Sequence, residues 1–421
     1  MDPDFLVSAI ATLFLSLISA WVLWLGIDAV RSRSIVRRSV EAEHKFLQAR
    51  VAQIMAQKDF EKEKKELSWN GYRKFEVTER RDEGGDITSF ILRPHDKKNL
   101  PPFHPGQYLT FSLADGNWSK PLIRCYSLSD SHKPDCYRVS IKRIDRNPDI
   151  PKSHPGRVSN HFHQMIQPGA IVDVKAPSGQ FYLDITKSPP IVLIAGGVGL
   201  TPLLSMLNAV AETGSKREVW LFYGVRDGSH HIMREHLAHL ALENENINLR
   251  VCYSSPRPGD VEGRDYHHQG RVTIDLLKAE LPSSNYRYFI CGPANMMKQM
   301  TADLKAWGVP ENHINYEAFG AATVKNVAAT AIEKPATALK VEFTRSGKVL
   351  DWDYESESLL DFAESHGIPI DSGCRAGNCG TCLTAVKSGD VDYVTEPGEP
   401  PETGSCLTCI SVPKADLKLD A

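Results

Sequence analysis

Three cysteines in Cys374-Arg-Ala-Gly-Asn-Cys379-Gly-Thr-Cys382, answered by Cys409, stand at the spacing of the thiolates that hold one type of [2Fe–2S] cluster. Two sulfide-bridged irons each take two protein ligands, so four thiolates are needed. Ala376, Gly377, Gly380 and Thr381 are small enough for the backbone to close around an inorganic core with its amides aimed at the sulfurs. A disulfide pair or a zinc site would also draw on cysteines, but zinc usually pairs C-x2-C with C-x2-C, so the x4-then-x2 run favours the cluster. A second constellation is Arg124-Cys125-Tyr126-Ser127-Leu128-Ser129. Its cation, aromatic face and small hydroxyl match the phosphate, ring face and redox-active nitrogen of a flavin, although alone it could be any strand that begins with Arg. A third, Ala195-Gly-Gly197-Val-Gly199-Leu-Thr201-Pro202, follows an apolar strand and opens a helix, where backbone N–H groups face an anion. Cys291-Gly292-Pro293 follows the last apolar strand of the same region; a structural cysteine is the plain alternative there.

The elements that must position these groups change in texture along the chain. Residues 69–187 carry short alternating runs such as Tyr108–Leu113 and Tyr137–Lys142 between Gly and Pro, the texture of an antiparallel barrel. Residues 188–320 alternate apolar strands (191–195, 219–223, 249–253, 288–291) with helical stretches, which predicts a parallel sheet flanked by helices. An Ala/Thr/Val-rich linker is expected over 321–338, and the cysteine motif falls in a last unit, 339–421. That unit has 15 acidic and 7 basic residues, either a docking field for a basic partner or a solubility device.

At 421 residues the chain is long enough for several domains, and its net charge of -3 argues against a nucleic-acid partner. Of nine cysteines, the five outside the proposed ligands are scattered and odd in number, which suggests a reducing compartment. Phe5–Ile27 is a run of 23 residues without a charge. As a helix it would extend roughly 34 Å, enough for a bilayer core of about 30 Å, so residues 1–30 are expected to be a transmembrane anchor. Arg31, Arg33, Arg37 and Arg38 follow, and the positive-inside rule puts the remainder in the cytoplasm, as a single-pass protein of the cell (inner) membrane. Residues 31–68 read as a charged helical stalk; a coiled coil is disfavoured because Arg50 falls where an apolar residue is due. His236-x-x-His239 reads as solvated helix surface, so no oxygenase metal site is expected.

These motifs resemble, in one order, the ferredoxin reductase superfamily fused to a plant-type ferredoxin, as in oxygenase reductases of the phthalate dioxygenase reductase type. Arg124-x-Tyr126-Ser127, Pro105-Gly-Gln107-Tyr108, Gly156-Arg-Val-Ser159-Asn and Pro177-Ser-Gly-Gln-Phe181 resemble the flavin-domain motifs, and Gly197-x-Gly199-x-x-Pro202 with Cys291-Gly292-Pro293 the nicotinamide-side motifs. Leu407-Thr-Cys409-Ile-Ser-Val-Pro413 resembles the ferredoxin closing segment, and this selects Cys409 over Cys406. The resemblance implies an antiparallel flavin barrel, an α/β nicotinamide domain and a C-terminal β-grasp ferredoxin domain. It implies FAD, with FMN as the alternative, held by Gln107, Tyr108, Arg124, Tyr126, Ser127, Ser140, Lys142 and Ser159. Phe319, in Tyr316-Glu317-Ala-Phe319-Gly320, resembles the segment that closes over the flavin. The nicotinamide would lie against Gly197, Gly199, Thr201, Pro202, Gly292 and Pro293. Arg226 and Arg257 could each reach the ribose 2′ position that separates NADH from NADPH, and the reading leans to NADH. Ser127, Cys291 and Glu317 are the implied catalytic residues, and Cys374, Cys379, Cys382 and Cys409 the implied iron ligands. The implied activity is NAD(P)H-driven electron transfer through flavin and cluster to a protein acceptor, such as a membrane oxygenase, desaturase or demethylase. Alternatives are a nitric-oxide or stress-related oxidoreductase, or a module that docks on a respiratory complex.

Overall fold

With no Pro or Gly between Ile27 and Leu67, nothing in the sequence stops a helix there, and α1 runs unbroken over Pro3–Leu67. The computed structural model describes residues 3–114, 121–145, 155–317, 319, 339–354, 356–373, 375–377, 379–394, 397 and 400–421. Among the first 50 residues, side chains are described only for 12–27, 31, 40–41, 43–48 and 50. The expected linker 321–338 and Cys374 lie outside the described residues. The chain falls into two units, Met1–Lys62 and Glu63–Ala421. Among the described residues no helix is long and apolar enough to cross a membrane, so the expected anchor has no support from the structure. The described side chains of the apolar run begin at Thr12 and are exposed, Trp21 at 61% and Leu23 at 65%.

In the second unit, alternation builds a barrel from β1 (Arg73–Gly84), β2 (Ile87–Pro94), β3 (Tyr108–Leu113), β4 (Leu122–Ser127), β5 (Tyr137–Lys142) and, after helix α2 (Arg157–Met165), β6 (Ile171–Val174). The order is β4-β3-β6-β1-β2-β5, with antiparallel neighbours, and a lone bridge between Leu128 and Val139 ties the two edges together. Phe75, Phe90, Leu109 and Phe111 fill the interior. Helix α2 adds Phe162, whose ring meets Phe90 and Phe111 edge-on, each at 5.3 Å. Each such ring contributes about 2–3 kcal/mol by leaving water.

The run that follows is apolar on both faces because its sheet is covered on both. Strands β7 (Ile191–Gly196), β8 (Val219–Val225), β9 (Ile247–Tyr253), β10 (His268–Gln269), β11 (Arg287–Cys291) and β12 (Ile314–Glu317) form a parallel sheet in the order β10-β9-β8-β7-β11-β12. Ile191, Leu193 and Ala195 point to the core under α3 (Leu200–Glu212) and α4 (Arg234–Glu243); Val192 and Ile194 point to the other, under α5 (Ile274–Glu280) and α6 (Ala294–Ala306).

The last unit pairs β13 (Lys340–Phe343), β14 (Lys348–Asp351), β15 (Leu383–Ser388), β17 (Ser405–Leu407) and β19 (Leu417–Leu419) in the order β14-β13-β19-β15-β17. A two-stranded piece, β16 (Val391–Tyr393) with β18 (Ser411–Pro413), stands beside it, and helix α7 (Leu359–Ser365) packs Phe362 on Phe343 and Trp352. Ser358 caps α7: its Oγ accepts from Asp361 N at 3.2 Å and donates to Asp361 Oδ2 at 2.8 Å. Ser358→Ala should therefore destabilise α7 by about 1 kcal/mol. Amide exchange should quicken across α7 and remain unchanged in β7–β9; an unaltered rate at Asp361 would show that the cap contributes nothing.

Candidate active site

Strand β4 leaves the barrel pointing at the C-terminal edge of the parallel sheet. There Ser127 Oγ donates to Glu317 Oε2 at 3.2 Å, and both residues are buried. Glu317 ends β12 and is paired in register with Cys291, the last residue of β11, which is itself opposite Ala195 of β7. The three residues expected to be catalytic thus meet at one junction. Burial raises Glu317 to about 8, with the Ser127 hydrogen bond pulling the other way. Burial also raises Cys291 well above an ordinary thiol, and the neighbouring Glu317 adds to the shift. Near neutral pH the junction is lined by uncharged groups, with a proton held on the Glu317 carboxyl.

The loop after β7 makes one tight turn, Gly197–Gly199, and α3 begins at Leu200. A Cβ on Gly199 would lie 2.1 Å from Cys291 O, so only glycine lets this loop pack against the end of β11. Thr201 Oγ1 donates to Val198 O at 3.0 Å inside the turn, and Pro202 follows it in the first turn of α3. The backbone N–H groups at this helix start suit a dinucleotide phosphate. Gly292 lies against Gly196 and Met296, and Pro293 caps α6. Met296, whose side chain crowds both Gly196 and Gly292, gave no signal in the sequence beyond being apolar. Arg226 is exposed, whereas Arg257 is held by Asp227, Nε to Oδ2 at 3.0 Å.

The residues expected at the flavin divide into two groups. Tyr126 and Ser127 stand on β4 at the junction; Tyr126 packs edge-on against Phe111 and Phe162, at 5.8 and 5.4 Å. Tyr108, whose hydroxyl lies 3.4 Å from Ser178 Oγ, pairs opposite Ser127 on β3. Lys142, half-buried, closes β5, and Ser159 Oγ accepts from Ile144 N at 3.3 Å. The others are tied into the fold. Gln107 donates to Gly179 O and accepts from His104 N, and Ser140 sits in a buried chain of hydroxyls between Ser89 and Ser129 at 2.7 and 2.8 Å. Phe319 is 37% exposed. Arg124, expected at a phosphate, reaches the other way: its Nη1 donates to Gly373 O at 2.8 Å and to Ile123 O at 2.7 Å. The rest of its fork makes no hydrogen bond to a described residue.

That contact joins β4 to the cysteine loop. A Cβ on Gly373 would lie 2.8 Å from Cys379 Sγ and 3.1 Å from Ile123 Cβ, so glycine permits the approach. Cys379, Cys382 and Cys409 are buried, and the Cys382 and Cys409 sulfurs lie 3.2 Å apart, close enough to share one metal ion. The hydrogen bond between the two sulfurs holds Cys382 below an ordinary thiol. Among the described residues no group of three or more potential ligands is assembled, and Cys374 lies outside them. His236, expected to be solvated helix surface, is half-buried, and its Nε2 lies 2.8 Å from Asn208 Oδ1. The thiols fit an iron–sulfur cluster, as the glycine turn and the β4 junction fit a dinucleotide and a flavin.

This fold and site define a flavin- and nicotinamide-dependent oxidoreductase with an iron–sulfur unit. Family models match in the same order: an oxidoreductase FAD-binding domain over residues 74–182, an oxidoreductase NAD-binding domain over 193–302 and a 2Fe-2S iron-sulfur cluster binding domain over 342–414. A flavohemoprotein of Halalkalibacterium halodurans is 39% identical over 254 residues, 60% of this chain and 61% of its own length. The chain therefore spans about three fifths of the curated relatives it matches. The flavohem-like FAD/NAD binding domain of nitric oxide dioxygenase from Vibrio cholerae superposes with a TM-score of 0.53 at 29% identity, covering 60% of this chain and all of that one. Phthalate dioxygenase reductase superposes with a TM-score of 0.52 at 25% identity, covering 83% of this chain and 98% of that one. The chain thus carries an FAD-binding domain, an NAD-binding domain and a 2Fe-2S domain in that order, an arrangement similar to that of the ferredoxin reductase superfamily with a C-terminal ferredoxin unit. Its cofactors are FAD, NADH or NADPH, and a [2Fe–2S] cluster.

An unperturbed glutamate titrates near 4.5, so between that value and about 8 the native chain holds a proton on Glu317 that the unfolded chain has lost. Its contribution is complete below the lower value and disappears as pH rises to the upper one. Glu317→Gln should remove this slope. Thermal unfolding stepped from pH 5 to 8 should move in favour of the variant as pH rises; parallel curves would rule out a buried, protonated carboxyl.

Proposed function

We propose that the chain is an NAD(P)H-dependent reductase that delivers electrons, by way of FAD and the [2Fe–2S] cluster, to a protein acceptor of an oxygenase, desaturase or demethylase system. The observation that carries this reading is the double engagement of β4. Ser127 reaches the Cys291–Glu317 junction at one end, while Ile123 and Arg124 touch Gly373, the residue before the first cluster ligand, at the other. When bound, FAD turns a two-electron donor into single-electron deliveries, which is what a [2Fe–2S] cluster accepts. The chain's part is to hold the three binding regions around one strand, with neutral buried groups at the nicotinamide side and buried thiols at the other. The structural likeness to phthalate dioxygenase reductase, a modular structure for electron transfer from pyridine nucleotides to [2Fe–2S], supports this order.

A second reading, a nitric-oxide or stress-related oxidoreductase, draws on the flavohemoprotein match. Cys379→Ser separates the two. Reduction of a two-electron dye by NADH should persist within about twofold, and reduction of a one-electron protein acceptor such as cytochrome c should fall at least tenfold. Unchanged cytochrome c reduction would mean that the cluster is not on the route.

We further propose that Phe5–Ile27 anchors the chain in the cell membrane with residues 31–421 on the cytoplasmic side. The support is the uncharged run itself, the exposure of its described apolar side chains and the arginines that follow. The full chain should sediment with membranes, resist alkaline carbonate and dissolve in detergent. Release by carbonate would exclude a spanning helix.

A further inference from the structure

The nicotinamide sheet has a second end. Cys291 is opposite Ala195 where β11 and β7 finish, and Arg287 is opposite Ile191 where they start, about 13 Å away along the strands. At those starts, where the connector from the barrel enters the sheet, lies a cavity of about 210 Å³. Its lining includes Gln180, Asp184, Lys187, Arg217, Arg287 and Asn315.

Three cations thus face one carboxylate, and that carboxylate is already engaged. Asp184 accepts from Thr186 N and Oγ1, at 3.0 and 2.6 Å, and pairs with Lys187 at 2.9 Å. Arg217 is only 4% exposed. Its Nη2 donates to Asp184 O at 3.2 Å, but among the described residues its Nε and Nη1 have no hydrogen-bond partner and it makes no ion pair. Burial lowers its pKa; Asp184 opposes the shift and Arg287 adds to it. A guanidinium in this state is costly to bury, and the natural complement to its planar fork is an oxyanion. The cavity is smaller than pockets that enclose drug-sized ligands, which restricts the occupant to a small molecule.

We propose that this cavity is an anion site, separate from the dinucleotide site at the other end of the same strands, that binds a small oxyanion of the phosphate or dicarboxylate type between Arg217 and Arg287. Because one wall is the barrel's connector (Gln180, Asp184, Lys187) and the other is the sheet, an occupant fastens the two domains to each other.

The test uses the full chain loaded with FAD and cluster and saturated with NAD+, so that the glycine turn is already filled. Inorganic phosphate and malonate are titrated against chloride of equal ionic strength, by calorimetry and by thermal unfolding. At least one of the two oxyanions should give saturable heat and a rise of a few degrees in Tm that chloride does not reproduce. Arg217→Met should abolish both responses without starting from a lower Tm, since it removes an unpaired buried cation. Arg287→Gln should weaken the apparent Kd at least tenfold, and it decides alone if the first variant does not fold. Responses to phosphate and malonate that both equal the chloride response, or that survive in both variants, would overturn the proposal and leave the cavity to water.

Discussion

The hydrogen bond between Ser127 and Glu317 is the constraint on which the arrangement of the site depends, because it crosses from the barrel to the parallel sheet. A carboxyl buried at the end of β12 has to be neutral or partnered, and the hydroxyl that partners it belongs to the other domain. Leaving such a group unsatisfied costs about 1–3 kcal/mol, enough to bias how the two domains meet. Once they are fixed in this way, the flavin-side strand and the nicotinamide-side loop share one buried corner. Cys291, fully buried with its thiol pushed up by that burial, adds polarisable bulk without charge.

Strand β4 is the common wall of this machine. Its residues pair with β3 along their whole length, from Leu113–Leu122 to Tyr108–Ser127, so its position is set by the barrel core and not by either neighbour. Ile123 and Ser127 are four residues apart, about 13 Å along the strand, and each touches a different domain. A rigid element that both domains contact fixes their separation more firmly than direct contact of two loops would.

Much of this was legible in the sequence, for reasons that can be named. The strands at 191–196 and 219–225 are apolar on both faces, whereas β3 sets Leu109, Phe111 and Leu113 against Thr110 and Ser112, so the period of the apolar residues told the two sheets apart. Gly199 was readable as part of a glycine-rich turn facing an anion, but the backbone that crowds it, Cys291 O, lies 92 positions away and is visible only in three dimensions. Arg124 was the harder case. Residue type said that it would bind an acceptor, and the sequence suggested a phosphate; a flexible side chain can also reach Gly373 O, 249 positions on, and no local pattern encodes that choice. Arg217 sits in a loop of mixed charge and gave no cue, because its burial arises from the meeting of a barrel tail with strand starts.

The cysteine loop carries its own strain and its own restraint. Arg375, next to the first expected ligand, has a φ of 55°, a left-handed conformation that costs a residue with a Cβ roughly 1–2 kcal/mol. Its guanidinium forks onto Glu364 of α7, Nη1 to Oε2 at 2.8 Å and Nη2 to Oε1, with Asp361 of the same helix 3.8 Å away. Both partners are more than a third exposed, so the pair is worth no more than about 1 kcal/mol and offsets the backbone only in part. The balance must come from the apolar cluster beneath, in which Leu360 of α7 packs with Ala376, Cys382, Leu407, Cys409 and Ile410. The helix that Ser358 caps is therefore also the helix that holds the thiolate loop closed. Fraying α7 would loosen Arg375 and Leu360 together, and with them the geometry that lets Gly373 rest against β4.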